Sequence, residues 1–349
     1  MTNITIVRGG ILRENSGAYI RVMGTKRGLE KIGFHVKVCQ PEIKYDIPFL
    51  RRLYWTAEVL LKSFATKTDI YYGHSTIGGY IALICARIKR KRFFYDVHDI
   101  NLSTFHGYGG FIKTICDFLE KTVMKNSDGV VVTSEPVKNA IVRWGVTEKK
   151  IIIAPNGVNI SEFNAVKKTK QKDKLIGVFV GVLIDWQLLP LFRIINQLLE
   201  ESKNLELWIV GEGDIGKYKK MVNEKNRYRV RFFGPLRHTE IINLLSKGDF
   251  GLAPFEKNAT TEYAHPLKVV EYIASGLPVI VTDLKGSRAI LGNKGFYMSD
   301  DNPESIISYV KVLQNKKFRE KISKEMLALS KNYDWETIMK PVKRAMCMR

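Results

Sequence analysis

Apolar residues along the chain form two alternating patterns, short continuous runs and longer stretches with helical spacing. Runs such as 129–134, 175–183 and 279–281 are rich in valine, isoleucine and leucine, which is typical of parallel strands buried on both faces. Between such runs, stretches such as 18–32 and 111–125 space their apolar residues as amphipathic helices do. Because strand and helix alternate along most of the chain, we predict an α/β fold with parallel sheets.

A lysine-rich stretch separates two such series of strands and helices. Residues 165–174 contain five lysines and few apolar side chains, which is typical of a solvated linker. The length of 349 residues also fits about two domains. We therefore predict a Rossmann-like domain over residues 1–164, a linker over 165–174, a second Rossmann-like domain over 175–330 and a terminal helix within 331–349.

The segment 265–282 is the most informative stretch of the chain. Pro266 suits the first position of a helix, where its missing N–H is not needed. Gly276 supplies a left-handed stop, and Pro278 prevents the helix from continuing. The segment therefore predicts a short helix, a sharp turn and a buried strand.

Two charged residues of this helix indicate a binding site. Lys268 lies in the first turn, where a cation opposes the helix dipole unless an anion is bound. A phosphate would remove this conflict, and Glu271, one turn later, could accept hydrogen bonds from a ribose. The alternative is a surface ion pair at i,i+3 spacing, worth about 0.2–0.5 kcal/mol.

The segment 266–280 resembles the donor-nucleotide motif of GT-B glycosyltransferases, especially family 4 and the related group 1 enzymes. The resemblance extends over nearly the whole chain and implies two Rossmann-like domains that face each other across a cleft. It implies that Glu271 holds the nucleotide ribose and that Lys268 neutralises the diphosphate. The first domain would bind the acceptor, the second would bind the nucleotide sugar, and the terminal helix would cross back to the first.

The resemblance implies further contacts to the donor. The turn 234–237 would lie against the nucleobase. Where family 4 commonly has two cations that grip the diphosphate, this chain has Val182 and Gln187, so Lys268 and backbone N–H groups at Gly181 would hold the phosphate. Whether the reaction retains or inverts the anomeric configuration therefore stays open. The remaining candidates are Gly234, Leu236, Arg237, Glu262, Tyr263, His265, Pro266 and Leu267.

One of these positions departs from the family pattern. Tyr263 stands where family 4 usually has a first glutamate, and Glu262 is one residue away. Whether Glu262 takes over that role depends on the backbone register, which the sequence leaves open.

Polar residues mark the carboxyl end of the predicted strand 93–99, which is the edge where ligands bind in open α/β sheets. Asp96, His98 and Asp99 form this group. In the resembling family a histidine here faces the cleft, so His98 could contact the sugar or the phosphate. Asp96 or Asp99 could serve as a base if the reaction inverts. The alternative is a structural histidine at the end of a strand.

A glycine-containing loop follows the first strand. It lacks the G-x-G-x-x-G spacing of a dinucleotide site. In the resembling family this loop borders the transferred sugar or the acceptor, which makes Gly9, Gly10, Ser16 and Gly17 candidates. The alternative is a turn that only requires glycine.

The net charge of +21 indicates an anionic partner, such as phospholipid head groups, a glycan or nucleic acid. No nucleic-acid-binding motif accompanies it, so we expect no nucleic-acid partner. Residues 49–67 mix basic and apolar side chains, which fits a helix on an anionic membrane surface. The alternatives are a helix whose apolar face packs in the core, and a surface that is simply rich in lysine.

Other features bear on location and cofactors. The first residues are typical of a strand and not of a signal peptide, and no run approaches the roughly 20 apolar residues of a membrane span. Four widely spaced cysteines indicate reduced thiols, so we expect a cytoplasmic protein on the inner face of the plasma membrane. The acidic motif of a metal site is missing, so we expect no metal and no cofactor, the nucleotide sugar being a substrate.

Together these features predict a hexosyltransferase-type glycosyltransferase (EC 2.4). It would move a sugar from a nucleotide sugar, with a UDP-sugar as the favoured donor, to a lipid-linked or polysaccharide acceptor in the assembly of capsule, exopolysaccharide or lipopolysaccharide. One alternative is a UDP-sugar epimerase of the same fold, and another is a basic nucleic-acid-binding protein.

Overall fold

The computed structural model describes residues 1–12, 16–42, 48–97, 110–169, 173–300 and 302–348. The chain forms two compact units, the first comprising Met1–Gly157 with Trp335–Arg349 and the second Val158–Asp334. Each unit contains a parallel sheet of six strands with flanking helices. The predicted α/β fold with two Rossmann-like domains is confirmed.

The first unit contains strands β1–β6, helices α1–α5 and the last helix, α15. Its sheet has the order β2-β1-β3-β4-β5-β6. The strands are β1 Asn3–Arg8, β2 His35–Cys39, β3 Ile70–His74, β4 Arg92–Val97, β5 Gly129–Val132 and β6 Ile151–Ile153. The helices are α1 Gly17–Lys31, α2 Pro48–Ala65, α3 Thr76–Lys89, α4 Gly110–Lys125, α5 Glu135–Arg143 and α15 Trp335–Cys347.

Helix α15 packs on α1 within the first unit. Gly24 and Gly28 of α1 allow this close approach, since a Cβ atom on Gly24 would lie 2.0 Å from the Trp335 ring. The guanidinium of Arg92 donates hydrogen bonds to backbone carbonyls near the end of α15, including that of Met346 at 2.7 Å. The final helix is therefore part of the first unit, although it is separated from it in sequence by the second.

The second unit contains strands β7–β12 and helices α6–α14. Its sheet has the order β12-β11-β10-β7-β8-β9. The strands are β7 Leu175–Val180, β8 Leu205–Val210, β9 Val230–Gly234, β10 Phe250–Ala253, β11 Val279–Thr282 and β12 Phe296–Met298. The helices are α6 Ile160–Asn164, α7 Asp185–Arg193, α8 Ile195–Glu201, α9 Ile215–Met221, α10 His238–Leu245, α11 Leu267–Ala274, α12 Lys285–Leu291, α13 Ser305–Leu313 and α14 Lys316–Ser330.

The strand order of the second unit changes direction at β7. From β7 the chain first adds β8 and β9 on one side and then β10, β11 and β12 on the other. Ligands of open α/β sheets bind beyond the carboxyl ends of the strands at such a switch point. The carboxyl ends of β7 and β10 are therefore the expected binding edge of this unit.

The boundary between the units lies earlier than the sequence indicated. The N–H of Val158 donates to the carbonyl of Tyr333 at 2.8 Å, and the N–H of Ile160 donates to the Asp334 carboxylate at 3.3 Å. These bonds attach residues 158–164 to the second unit, whereas the sequence analysis placed them in the first. The lysine-rich stretch 165–174 thus follows the boundary.

Candidate donor-binding site

The helix-turn-strand prediction for the segment 265–282 is confirmed. Helix α11 begins at Leu267, one residue later than expected, because Pro266 is its N-cap with an extended ψ of 120°. Gly276 has a φ of +65°, and the next N–H, of Leu277, donates to the carbonyl of Tyr272 at 2.9 Å. The glycine thus ends the helix in the left-handed conformation that the sequence predicted.

Tyr272 fixes α11 onto the ends of two strands. Its hydroxyl accepts the N–H of Val180 at 2.9 Å and donates to the carbonyl of Leu252 at 3.1 Å. Gly251 leaves room for the ring, since a Cβ atom there would lie 2.3 Å from it. The helix start, with Lys268 and Glu271, is thereby held at the switch point.

The ammonium of Lys268 lies between aromatic rings at this edge. Its Nζ is 4.1 Å from the ring centroid of Phe179 and 5.0 Å from that of Phe255. It donates a hydrogen bond of 2.6 Å to Oε1 of Gln187, a neutral acceptor. Burial lowers the pKa of Lys268 to about 7, against a smaller raising effect of Glu271. A bound anion would stabilise the charged form of this ammonium.

Gly181 allows the backbone to approach Lys268 but does not provide a phosphate donor. Its φ is +151°, and a Cβ atom there would lie 2.5 Å from Nζ of Lys268. The N–H of Gly181 donates to the carbonyl of Val210 at 2.9 Å, because the β7–β8 ladder continues past the end of β7. The expectation that this N–H holds phosphate is therefore wrong.

Glu271 is buried and paired with a histidine that the sequence analysis did not select. Its side chain is 5% exposed, and Oε1 lies 2.9 Å from Nε2 of His238. His238 is the first residue of α10, and its Nδ1 lies 3.8 Å from a carboxylate oxygen of Glu162. Its place directly after the turn 234–237 is the signal that could have identified it.

The turn before His238 has the geometry of a tight connection. Gly234 has a φ of +67°, and its carbonyl accepts the N–H of Gly211 at 2.9 Å. Arg237 is exposed and pairs with Glu240 at 3.0 Å, and the same carboxylate accepts the Arg237 N–H. Leu236, between them, is half-buried. The turn therefore connects the end of β9 to the residue that contacts Glu271.

The segment before α11 packs against α12. Glu262 pairs with Lys285 at 3.3 Å and with Lys257 at 3.8 Å. The Nζ of Lys285 also lies 5.0 Å from the ring centroid of Tyr263. His265 is buried, with its ring 6.0 Å from that of Tyr333.

The residues after β11 begin a helix. Helix α12 starts at Lys285. The N–H of Gly286 in its first turn donates to the carbonyl of Glu262 at 3.0 Å. The first turn of α12 is therefore bonded to the segment that precedes α11.

In the first unit, Asp96 is part of a buried ion pair. One carboxylate oxygen accepts from Nε and Nη2 of Arg21 at 3.1 and 2.9 Å, and the other accepts from the Tyr72 hydroxyl at 2.7 Å. Arg21 also donates to Asn156 and to the carbonyls of residues 154–155. Both side chains of the pair are fully buried. This arrangement gives Asp96 a structural role, which differs from the catalytic base that the sequence analysis considered.

The other first-unit candidates are only partly described. His98 and Asp99 lie outside the described residues. Gly9 and Gly10 directly follow β1, and Gly9 lies close to α3. Ser16 is the N-cap of α1, which begins at Gly17, and its hydroxyl accepts the N–H of Tyr19 at 3.1 Å.

Two further polar residues end strands at the same edge. Arg8 ends β1 and lies beside His74 of β3, which in turn lies beside Asp96 of β4. The Nη1 of Arg8 is 2.7 Å from Nδ1 of His74. The sequence analysis singled out neither residue.

Metal-ligand clusters and membrane-spanning helices are both missing from the described part of the chain. It contains no group of three or more His, Cys, Asp or Glu side chains that could hold a metal ion. None of its helices has both the length and the hydropathy of a membrane span.

Family models match both halves of the chain. Residues 18–162 match the model described as Glycosyltransferase Family 4. Residues 174–315 match the model described as Glycosyl transferases group 1.

Three curated relatives cover most of the chain. An uncharacterized glycosyltransferase of Methanocaldococcus jannaschii is 23% identical, covering 86% of this chain and 78% of the relative. The O-antigen chain mannosyltransferase RfbU of Salmonella typhimurium is 27% identical, and the match covers 82% of this chain and 78% of the relative. The UDP-Gal:alpha-D-GlcNAc-diphosphoundecaprenol alpha-1,3-galactosyltransferase of Escherichia coli is 26% identical, and the match covers 69% of this chain and 65% of the relative.

Solved structures share the fold over the whole chain. Sucrose-phosphate synthase from Thermosynechococcus elongatus superposes with a TM-score of 0.76 at 16% identity, covering 99% of both chains. Anabaena HepE, solved in complex with UDP and glucose, has a TM-score of 0.74 at 16% identity, again covering 99% of both.

Proposed function

Because the chain belongs to the family 4 and group 1 glycosyltransferases with the GT-B fold, we propose that it transfers a hexose from a UDP-sugar to a lipid-linked or polysaccharide acceptor. The pathway is the assembly of a cell-surface glycan. The second unit binds the nucleotide sugar, and the first binds the acceptor.

The observation that carries this proposal is the placement of Lys268 and Glu271 at the switch point of the second sheet. Lys268 is a desolvated ammonium whose hydrogen-bond acceptor is the neutral side chain of Gln187. Glu271, one turn later on α11, is a buried carboxylate oriented by His238. A cation beside a carboxylate at a helix start matches the diphosphate and the ribose of a nucleotide sugar.

The reaction requires stabilisation of the departing diphosphate. Lys268 and the N-terminus of α11 would supply fixed positive charge where the leaving group gains negative charge. Glu271 would bind the ribose hydroxyls and so fix the position of the nucleotide. His98 and Asp99, which follow β4 in the sequence, remain our candidates for contacting the sugar and accepting a proton.

The donor and acceptor classes are supported by relatives. The Escherichia coli relative is named for transfer from UDP-Gal to a diphosphoundecaprenol-linked sugar, and HepE was solved with UDP. A diphosphate lipid is anionic and membrane-bound, and the net charge of +21 suits both properties. We therefore favour a lipid diphosphate acceptor at the inner face of the membrane. The matches to glycosyltransferases support transfer over epimerisation.

The experiment that tests this proposal has two steps. The first step is a thermal-shift screen of UDP-, GDP- and ADP-sugars, in which we expect UDP-sugars to raise the melting temperature of the protein most strongly. The selected donor, labelled in its sugar, is then incubated with an undecaprenyl-diphosphate-linked saccharide in detergent. Label moving into the lipid supports the proposal. Conversion of the donor to another UDP-sugar without any acceptor contradicts it.

A further inference from the structure

Three neighbouring helices of the first unit, α2, α3 and α4, carry exposed apolar side chains. Eight of them, each at least 39% exposed, define what we call the α2–α4 apolar surface. They are Leu53, Leu61 and Phe64 of α2, Ile77, Ile84 and Ile88 of α3, and Ile115 and Phe118 of α4. Contiguous exposed apolar patches on a soluble protein mark interaction sites.

Helix α3 lies between the other two helices, so the exposed apolar side chains of all three belong to one layer of helices. Helix α3 contacts both α2 and α4, and its inner side packs on strands β1, β3 and β4. Its buried side consists largely of small residues, including Gly78, Gly79 and Ala82. Its outward side carries Ile84 and Ile88, one turn apart. The outer face of an amphipathic helix is normally polar, so packing within this unit does not explain these isoleucines.

Helix α2 shows the same division. Val59 and Ser63 are buried against the unit, whereas Leu53 and Leu61 are 70% and 71% exposed. The basic, apolar helix expected from residues 49–67 therefore packs on one side and still presents large apolar side chains on the other.

Cations border this surface. Lys67, Arg87 and Arg90 are exposed at the ends of α2 and α3, and Arg52 is exposed near the start of α2. The Nζ of Lys89 lies 4.9 Å from the Phe64 ring, so a charge stands directly beside the apolar side chains. Two nearby carboxylates are already paired, Glu58 with Lys62 at 2.7 Å and Asp69 with Lys91 at 3.6 Å.

We propose that the α2–α4 apolar surface inserts into the interface of an anionic lipid bilayer. Apolar side chains would enter the acyl boundary while long cationic side chains reach the phosphate groups. A cationic border on a chain of net charge +21 is complementary to an anionic leaflet and repels a second copy of this chain. The inference deepens the proposed function, because it assigns the surface that would bring the enzyme to a lipid-linked acceptor.

The test is sedimentation of the full chain with vesicles of phosphatidylglycerol and phosphatidylcholine, compared with phosphatidylcholine alone. We expect binding to the anionic vesicles that weakens with added salt. The triple variant Leu61→Ser, Ile88→Ser, Phe118→Ser is expected to lose at least tenfold in vesicle affinity. The matched control is the double variant Tyr228→Ser, Val312→Ser, which removes exposed apolar side chains of the second unit and is expected to bind vesicles like the wild type.

The outcomes separate this inference from the proposed function. The thermal shift with UDP-sugar checks that the triple variant folds and keeps its donor site. Equal vesicle binding by the triple variant and the wild type overturns the inference. If light scattering shows that the triple variant has a different oligomeric state from the wild type but binds vesicles equally well, the inference is also overturned, in favour of self-association. A third outcome is that the triple variant loses vesicle binding while the wild type transfers no sugar to a detergent-dispersed acceptor. This outcome supports the membrane surface and contradicts the proposed function.

Discussion

The Nε2 atom of His238 lies 2.9 Å from Oε1 of Glu271. The two residues are 33 positions apart. His238 is the first residue of α10, whereas Glu271 lies in the middle of α11. The contact fixes the orientation of the carboxylate that we assign to the ribose. His238 is thus a positioning residue in our account, and Glu271 is the residue that touches the donor.

Replacing His238 tests this positioning role. His238→Ala is expected to weaken UDP binding about tenfold, because a hydrogen bond to a charged group contributes about 1.5–3 kcal/mol. His238→Gln, whose amide can still donate, should restore part of the affinity. Calorimetric titration with UDP measures both, with His35→Ala on the exposed face of β2 as a control. If His238→Ala binds UDP with the wild-type affinity, the positioning role of His238 is contradicted.

The pKa of Lys268 predicts a pH dependence of donor binding. Burial lowers the pKa of this lysine to about 7 in the free protein, and a bound diphosphate raises it again. Binding above pH 7 therefore takes up a proton, and UDP affinity should fall as pH rises from 7 to 9, approaching about tenfold per pH unit. Calorimetry across this range should show the trend in the wild type and a flat profile in Lys268→Met. A flat wild-type profile would contradict the assignment.

The same pKa has a consequence for stability. In the unfolded chain this lysine titrates near 10.5, and in the folded chain near 7. Between these values the unfolded state holds the additional proton, so this group makes the free energy of unfolding rise with pH. Lys268→Met lacks this titrating group, so its stability does not fall for this reason as the pH is lowered from 10 towards 7. The melting temperature of the variant minus that of the wild type should therefore increase over this range. A difference in melting temperature that does not vary with pH would argue against a desolvated lysine.

The Arg21–Asp96 pair predicts a loss of stability. Removing one partner of a buried ion pair is destabilising by about 3–5 kcal/mol, because the other charge stays buried. Arg21→Met and Asp96→Asn should both lower the melting temperature, and the double variant should lose less than the sum of the two. Differential scanning calorimetry checks this. An Asp96→Asn protein with the wild-type melting temperature and no transferase activity would instead support Asp96 as the catalytic base.

The fold could be predicted because its signals are local. The alternation of apolar runs and helical stretches gives the two parallel sheets, and Gly276 with Pro278 ends α11 where expected. The resemblance then selected Lys268 and Glu271, which the structure brings to the switch point of the second sheet.

The remaining features depend on contacts between distant parts of the chain. Asp96 lies near the carboxyl end of β4, where active-site residues often stand, and nothing near it in sequence reveals that Arg21 reaches it from α1. The N–H of Gly181 donates to a carbonyl of β8 because the ladder of strand hydrogen bonds continues past β7. That extension depends on the register between β7 and β8, which is not visible in the sequence. The pairing of His238 with Glu271 likewise requires the relative placement of α10 and α11.

We propose that α11 binds a nucleotide sugar through Lys268 in its first turn and Glu271 one turn later. The most direct test is calorimetric titration of UDP into the wild type, Glu271→Ala and the control Glu224→Ala, whose exposed side chain pairs only with Arg227 in the described structure. We predict that Glu271→Ala weakens UDP binding about 10- to 100-fold, equivalent to about 1.5–3 kcal/mol, while the control and the wild type bind alike. Equal UDP affinity in Glu271→Ala and the wild type would contradict the account.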